Sequence, residues 1–360
     1  MGGNPGSCAR VEQSIRQLAS WLKGRNNKGA GQQQDLLSVG GLLALAWPDR
    51  VALQRAPGSY KLVSGRGGIL PNHDPLGGSQ WLVVPSLDAG RQNGRIFLAA
   101  RLEQEEVETL FFDQLAEQDE VVWDSTAHRV RSRSLVRLGP LTIRERPLAA
   151  PDPMAAQEAL LTGIRELGLR VLNWTPKAQQ LQARLLCLRE WQSDADWPDL
   201  SDPSLLAELE HWLQPYLNGL RTIKECAALN LEQILRDRLD YQQQQRLEQD
   251  APTHLQVPSG SRIRLEYRPG DPPILAVRLQ EVFGLEETPT VCQGRIPVLL
   301  HLLSPARRPV QITQDLQGFW KNSYFAVRKE MKGRYPKHYW PEEPWAARAT
   351  SGIKRSTRIS

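Results

Sequence analysis

The sequence predicts an α+β multidomain chain: a helical fragment, a small β-barrel, a helical segment, then a mixed α/β C-terminal domain. Three observations predict it. Apolar residues recur at helical spacing in two separate stretches, near the N-terminus and across 151–251. Between them, from Val51 to Arg146, short β-rich runs are separated by Gly, Pro, Asn and Asp clusters. After Pro252 the two patterns mix. A chain of 360 residues has room for two or three domains.

Residues 1–47 read as the end of a helical domain. Val11, Ile15, Leu18 and Leu22 fall on one helix face, and Lys23 to Gln34 reads as a polar loop. A second helix starts at Asp35, is apolar through Leu36, Leu37, Leu42, Leu43, Leu45 and Ala46, and stops before Pro48. Residues 48–150 read as the barrel. Its strands are Val51-Ala-Leu-Gln-Arg, Tyr60-Lys-Leu-Val, Trp81-Leu-Val-Val and Arg95-Ile-Phe-Leu-Ala-Ala, then Glu120–Trp123, Arg129–Arg137 and Thr142–Arg146. An acidic helical piece, Glu103 to Leu115, interrupts them. Five or more short strands fit a small barrel of the oligonucleotide-binding type.

Residues 151–251 are helical, opened by Pro151-Asp-Pro. Leu160, Leu161, Ile164 and Leu167, and later Leu181, Leu185 and Leu188, carry the apolar face. The chain turns at Trp197-Pro-Asp-Leu-Ser-Asp-Pro, where Ser201 or Asp202 can cap the next helix. Glu232 to Gln249 reads as a further helix. Residues 252–344 form the mixed domain, with strands at His254–Val257, Ile263–Tyr267, Ile274–Val277 and Ile296–Leu303 and helices at Arg278–Phe283 and Leu316–Lys332. Residues 345–360 read as a basic, disordered tail.

Charge is unevenly spread. From His301 onward twelve basic residues face four acidic ones, so this end carries +8 against +5 for the whole chain and −3 for the remainder. A basic end on a near-neutral body points to a polyanion, most often nucleic acid. No apolar run of about 18 residues is present, so no membrane span is expected. The four cysteines, Cys8, Cys187, Cys226 and Cys292, are far apart and form no zinc knuckle, so reduced thiols and a cytoplasmic location are the simple reading. His254, His301 and His338 have no partners at metal-ligand spacing, and neither a metal nor any other cofactor is expected.

The strongest local signal is Trp320-Lys-Asn-Ser-Tyr-Phe-Ala-Val-Arg-Lys-Glu-Met-Lys-Gly-Arg-Tyr-Pro-Lys-His-Tyr-Trp. Helical spacing puts Tyr324 near Arg328, and Phe325 near Lys329 and Lys332. Aromatic faces stack on unpaired bases while Lys and Arg hold phosphates. The candidate nucleic-acid-binding residues here are Tyr324, Arg328, Lys329, Lys332, Arg334, Lys337 and His338, with Trp320 and Phe325 expected in the core. Arg129, Arg131 and Arg133 alternate along one strand face and form a second candidate set; a solvated strand face explains them equally well. Arg66, between Gly65 and Gly67, could present a cation to a phosphate, but a plain glycine turn between two strands is the simpler account. The Glu103–Glu108 carboxylates read as a solvated helix face, not a catalytic pair.

Four blocks carry a resemblance. They are P-T-H-L-Q-V-P-S-G-S-R-I-R-L-E-Y at 252–267, V-R-L-Q-E-V-F-G-L at 277–285, G-R-I-P-V-L-L-H-L-L-S-P-A-R-R-P-V-Q-I-T at 294–313 and the run from Asp315 to Pro341. Together they closely resemble the C-terminal domain of the HrpB-type DEAH-box ATP-dependent helicases. Leu42-Leu-Ala-Leu-Ala-Trp-Pro-Asp-Arg-Val, Ser64-Gly-Arg-Gly, Asp74-Pro-Leu, Trp81-Leu-Val-Val, Trp197-Pro-Asp-Leu-Ser and Trp212-Leu-Gln-Pro-Tyr-Leu extend the likeness from about Leu42 to Pro344.

The family hydrolyses ATP with a Gly-rich phosphate loop and an acidic metal box. Neither is in this sequence, so the resemblance implies the non-motor, C-terminal portion of such a helicase and no ATPase activity for this chain alone. The partners it implies are single-stranded nucleic acid, RNA ahead of DNA, and helicase motor domains supplied in trans. The alternative is a protein–protein interaction module or an inactive remnant.

Overall fold

The computed structural model describes residues 13, 16, 37–88 and 93–351. The face made by Val11, Ile15, Leu18 and Leu22, the loop from Lys23 to Gln34 and tail residues 352–360 lie outside the described residues. The chain divides into two compact units. One takes in the chain up to Gln118 with Leu135–Glu145, the other Asp119–Ser134 and everything from Arg146 onward.

The first unit is built on a closed five-stranded barrel: β1 (Val51–Ala56), β2 (Ser59–Leu62), β3 (Gly67–Ile69), β4 (Trp81–Leu87) and β5 (Asn93–Leu102). The strands close in the order β1-β2-β3-β5-β4. β3 runs parallel to β5, and the other pairs are antiparallel. Ala52, Tyr60, Leu62, Leu82, Val84 and Ile96 fill the interior. Val51, Trp81 and Val83, one residue out of phase, face a second layer with Ala44, Leu102, Val107 and Phe111. Strands β1 and β4 are therefore buried on both faces, which is why Trp81-Leu-Val-Val reads as a continuous apolar run.

Helix α1 (Val39–Ala46) begins at Ser38, whose hydroxyl accepts from Gly41 N at 3.0 Å. Glu106, on α2 (Gln104–Leu110), accepts from Ser38 N at 3.0 Å and Ser38 Oγ at 2.9 Å. Burial pushes the Glu106 carboxyl up, but the hydrogen bonds from Ser38 and Glu103 outweigh it and hold the group below the usual carboxylate range. The buried side of α1 is Gly40, Gly41 and Ala44, while Leu42 and Leu45 face outward. The acidic helix stops at Leu110, short of the expected Leu115.

The barrel closes with five strands. The three strands expected to extend it, β6 (Leu115–Asp124), β7 (Arg129–Leu138) and β8 (Leu141–Pro147), form a separate three-stranded sheet. The division between the units falls within all three.

In the second unit Asp152 caps α3 (Pro153–Leu167) by accepting from Ala155 N at 2.8 Å, and Thr175 caps α4 (Pro176–Trp191) by accepting from Ala178 N at 3.2 Å. Five short helices follow: α5 (Asp202–Ala207), α6 (Leu209–Trp212), α7 (Ile223–Cys226), α8 (Leu231–Arg236) and α9 (Tyr241–Asp250). Ser201 stands at the cap of α5 without a side-chain capping bond. The helix expected over Glu232–Gln249 is broken in two, because Asp240 and Gln243 form a capping box that starts α9.

The mixed domain is a five-stranded sheet ordered β15-β14-β11-β10-β9, from β9 (His254–Gln256), β10 (Arg262–Glu266), β11 (Ile274–Arg278), β14 (Leu299–Leu303) and β15 (Pro309–Thr313). β12 (Thr290–Val291) and β13 (Ile296–Pro297) make a small ladder beside it. Strand β15 was not anticipated. The expected helix at Arg278–Phe283 is one 3₁₀ turn, Leu279–Glu281.

A single core joins Leu181, Leu185, Leu188 and Leu247 of the helices to Leu265, Leu275, Val277 and Leu300 of the sheet. The expected boundary at 251/252 thus does not divide this unit. A buried polar cluster also crosses it: Gln192 Nε2 donates to Asp250 Oδ2 at 2.8 Å and to Cys292 Sγ at 3.1 Å, and Cys292 N donates to the Asp250 carbonyl at 2.8 Å.

Residues 345–351, expected in a disordered tail, are packed down. Trp345, Ala347 and Ala349 lie against the core, Thr350 N donates to Gln280 O at 3.0 Å, and Arg278 Nη1 donates to Ser351 O at 3.0 Å. Among the described residues no helix is long and apolar enough to cross a membrane.

Candidate nucleic-acid interface

The basic C-terminal segment folds as α10 (Leu316–Gly318), a π-helical turn at Phe319–Ser323 and α11 (Tyr324–Arg334). Asp315 caps the start by accepting from Gly318 N at 2.7 Å. Trp320 is buried as expected and donates Nε1 to the Leu285 carbonyl at 2.8 Å.

Tyr324 and Phe325 exchange the places expected of them. Tyr324 is 0% exposed, sits edge-on to Phe283, Phe319 and Trp320, and donates Oη to the Pro341 carbonyl at 2.9 Å. Burial pushes its phenol up, and it offers no face to a base. Phe325, placed in the core from sequence, is 49% exposed. Helical spacing puts Phe325, Lys329 and Lys332 on one face, and both lysines are exposed.

Arg328 is not a surface cation. It is half-buried, donates Nε to the Trp340 carbonyl at 3.0 Å, and pairs through Nη2 with Glu342 at 3.0 Å. Its work is to hold the chain after α11 against the helix. Arg334 is exposed and reaches Glu330 one turn back at 3.2 Å, a pair that solvent screens. Lys337 is exposed. His338 is half-buried edge-on to Tyr335; burial and then the charge of Arg278 push its pKa below the ordinary histidine value, which disfavours the charged form that would hold a phosphate.

On β7, Arg129 and Arg131 are exposed, whereas Arg133 is half-buried and bridged to Glu120. Asp124 at the end of β6 is held below its ordinary range, first by the Ala127 N–H and further by Thr126 N–H, Arg131 and Arg129. The alternation fails at Leu135, which is buried at a position in phase with the arginines. Arg66 sits in the tight β2–β3 turn, where Gly65 takes φ +85°, and donates Nη2 to the Asp88 carbonyl at 3.1 Å. This is the glycine turn joining two strands that the sequence favoured.

The structure therefore brings Lys329, Lys332 and Phe325 together, with Arg334 and Lys337 following on the chain. No hydrogen bond or ion pair among the described residues links them to Arg129, Arg131 and Arg133. Sequence reading missed Phe97 on β5, 62% exposed with the Arg95 guanidinium 6.0 Å from its ring centre. Alternation about buried Ile96 was the signal that could have found it. No group of three or more His, Cys, Asp or Glu able to hold a metal occurs among the described residues.

A family described as ATP-dependent helicase C-terminal matches residues 212–344. The ATP-dependent RNA helicase HrpB of Escherichia coli (strain K12) is 42% identical over 350 residues, spanning 96% of this chain and 43% of that protein. A crystal structure of the E. coli DExH-box NTPase HrpB is 41% identical with a TM-score of 0.57, and covers 97% of this chain and 42% of that one. A crystal structure of the E. coli DEAH/RHA helicase HrpB is 39% identical with a TM-score of 0.50, covering 94% and 42%. The chain spans less than half the length of these relatives.

Proposed function

We propose, from the premise that this chain corresponds to the C-terminal, non-motor portion of the HrpB-type helicases, that it is a nucleic-acid-binding accessory module. The observation that carries the reading is the exposed α11 face on which Phe325 stands beside Lys329 and Lys332. One ring stacks on an unpaired base while the two ammonium groups hold flanking phosphates. Arg334 and Lys337 extend the positive surface, and Arg129 and Arg131 add a separate one.

The barrel supports the same reading. Its strand order and its parallel β3–β5 pair fit the oligonucleotide-binding fold, which takes single strands on its surface. Arg95 over the exposed Phe97 suits that role better than Arg66, which is tied to Asp88. The ligand class is single-stranded and sequence-tolerant, RNA ahead of DNA, in a cytoplasmic setting.

The test is anisotropy of a labelled single-stranded oligonucleotide with the purified chain and with F325A and K329A/K332A/K337A. Weakened binding in both variants, with unchanged melting, supports the reading. Wild-type binding by both variants removes the α11 face as the platform.

A second reading, docking onto motor domains in trans, is favoured by one observation. Val39, Leu42 and Leu45 of α1 are 70%, 59% and 53% exposed, an apolar strip on a helix whose small residues face the barrel.

A further inference from the structure

The second unit holds a basic groove that the candidate interface does not use. Two neighbouring cavities, of about 290 and about 310 Å³, share Gln180 and Arg264 in their walls. The first lies among Lys177, Arg184, Arg236, His254 and Arg264, with Glu232 as its acidic wall residue. The second continues past Pro176 and Gln179 to Glu266, Ile274 and Ala276.

The walls are built to hold their shape. Gln180 accepts from Tyr267 N at 3.0 Å and donates to the Tyr267 carbonyl at 3.2 Å, which locks α4 to the end of β10. Arg184, 2% exposed, donates to the Ala251 carbonyl at 2.6 Å and the Leu247 carbonyl at 3.2 Å, and pairs with Glu248 at 3.1 Å. Arg264 stands opposite His254 across the β9–β10 ladder, and both are exposed.

The carboxylates of the groove are engaged. Glu232 and Glu248 pair with Arg236 at 3.7 and 3.5 Å, and Glu266 pairs with Arg268 at 2.7 Å. Lys177 and Arg264 are exposed, and among the described residues neither has a carboxylate within 4.0 Å. Lys177 also lies in the first turn of a 16-residue helix, where the helix dipole opposes a cation. An ammonium is disfavoured there by the helix start. Its field adds to that of the helix start and of Arg264, on the side of α4 where the groove opens.

We propose that this groove is a second track for single-stranded nucleic acid, its phosphates held between Lys177 and Arg264. The proposal rests on the nucleic-acid reading above and adds a separate site to it. Lys177, Arg184, Arg236 and Arg264 line the cavities, and His254 is the one ring among the lining residues, so the groove is suited to follow a sugar–phosphate backbone with little stacking on the bases. An acidic peptide is the competing occupant.

The test compares the full chain with K177Q/R264Q and with the charge-preserving K177R/R264K. Each is titrated with labelled oligouridine across a salt series, and with labelled polyglutamate as the peptide probe. The expected result is a loss of roughly fivefold or more in oligouridine affinity for the glutamine pair at low salt, with a shallower salt slope. The charge-preserving pair keeps affinity, and melting of the glutamine pair is unchanged or raised because a disfavoured helix-start cation is gone. Wild-type affinity and slope in the glutamine pair, with K329A/K332A/K337A still impaired, overturns the groove and leaves the α11 reading standing. Loss of polyglutamate binding alone assigns the groove to acidic peptides and overturns it too. No oligouridine binding by the wild type removes both.

Discussion

Tyr324 and Phe325 are adjacent, chemically similar and opposite in role. Removing the Tyr324 hydroxyl leaves the Pro341 carbonyl without its donor in a buried site. The expected cost of Tyr324→Phe is about 1–2 kcal/mol, read by chemical denaturation, with oligonucleotide affinity unchanged. Phe325→Ala is expected to do the reverse, weakening binding by about 1–3 kcal/mol at one stacked base with stability intact. A Tyr324 variant that loses binding without losing stability restores the stacking role this structure withholds.

His338 gives a pH signature at the same scale. Burial and Arg278 favour its neutral form in the folded chain, so its pKa lies below 6.5. The unfolded chain then binds the proton more readily than the folded one. The stability tied to this group is complete above 6.5 and is lost as pH falls from there toward the depressed value. Melting curves between pH 8 and 5 are expected to show that decline, and His338→Gln is expected to flatten it. An equal decline in the variant assigns the pH dependence to other groups.

At the scale of elements, the cause of the Tyr324/Phe325 exchange becomes clear. The sequence spacing was read as one regular helix across Leu316–Lys332, but the π-helical turn at Phe319–Ser323 adds a residue to its turn and rotates everything after it. The phase of α11 could not be read through that turn. The strands were legible because period-two alternation is local. Which strands close the barrel was not, because pairing is decided by partners distant in the chain; the high charge of β6, β7 and β8 was the one local sign that set them apart from β1 to β5. The apolar run of α1 did not show which side is buried: Leu42 and Leu45 are exposed, whereas Gly40 is the residue that must be small. A Cβ there would stand 2.0 Å from the Arg101 carbonyl oxygen. Gly40→Ala is therefore expected to destabilise the first unit by about 1–3 kcal/mol, and wild-type melting of that variant would mean that α1 is free to shift. Leu42→Ser on the exposed side is expected to be nearly neutral for stability.

At the scale of the molecule, the proposed polyanion surfaces differ in how far the sequence showed them: the charge surplus after His301, the Arg129–Arg133 alternation and the barrel were legible, and the groove was not. Lys177 and Arg264 lie 87 positions apart in a near-neutral stretch, so only folding brings them to one groove. The chain has no phosphate loop and no acidic metal box, and purified protein is expected to show no ATP hydrolysis with or without RNA. Nucleic-acid-stimulated hydrolysis that persists through removal of contaminating enzymes would overturn that expectation.

The most direct test of the central claim is the salt dependence of oligouridine binding by the full chain. If cations on α11 and in the groove hold phosphates, log affinity falls linearly with log salt, at about 0.7 per phosphate held. The slope is then expected to shrink by about 2 in K329A/K332A/K337A. Binding that ignores salt, or no binding at low ionic strength, contradicts the account and leaves the apolar face of α1 as the functional surface.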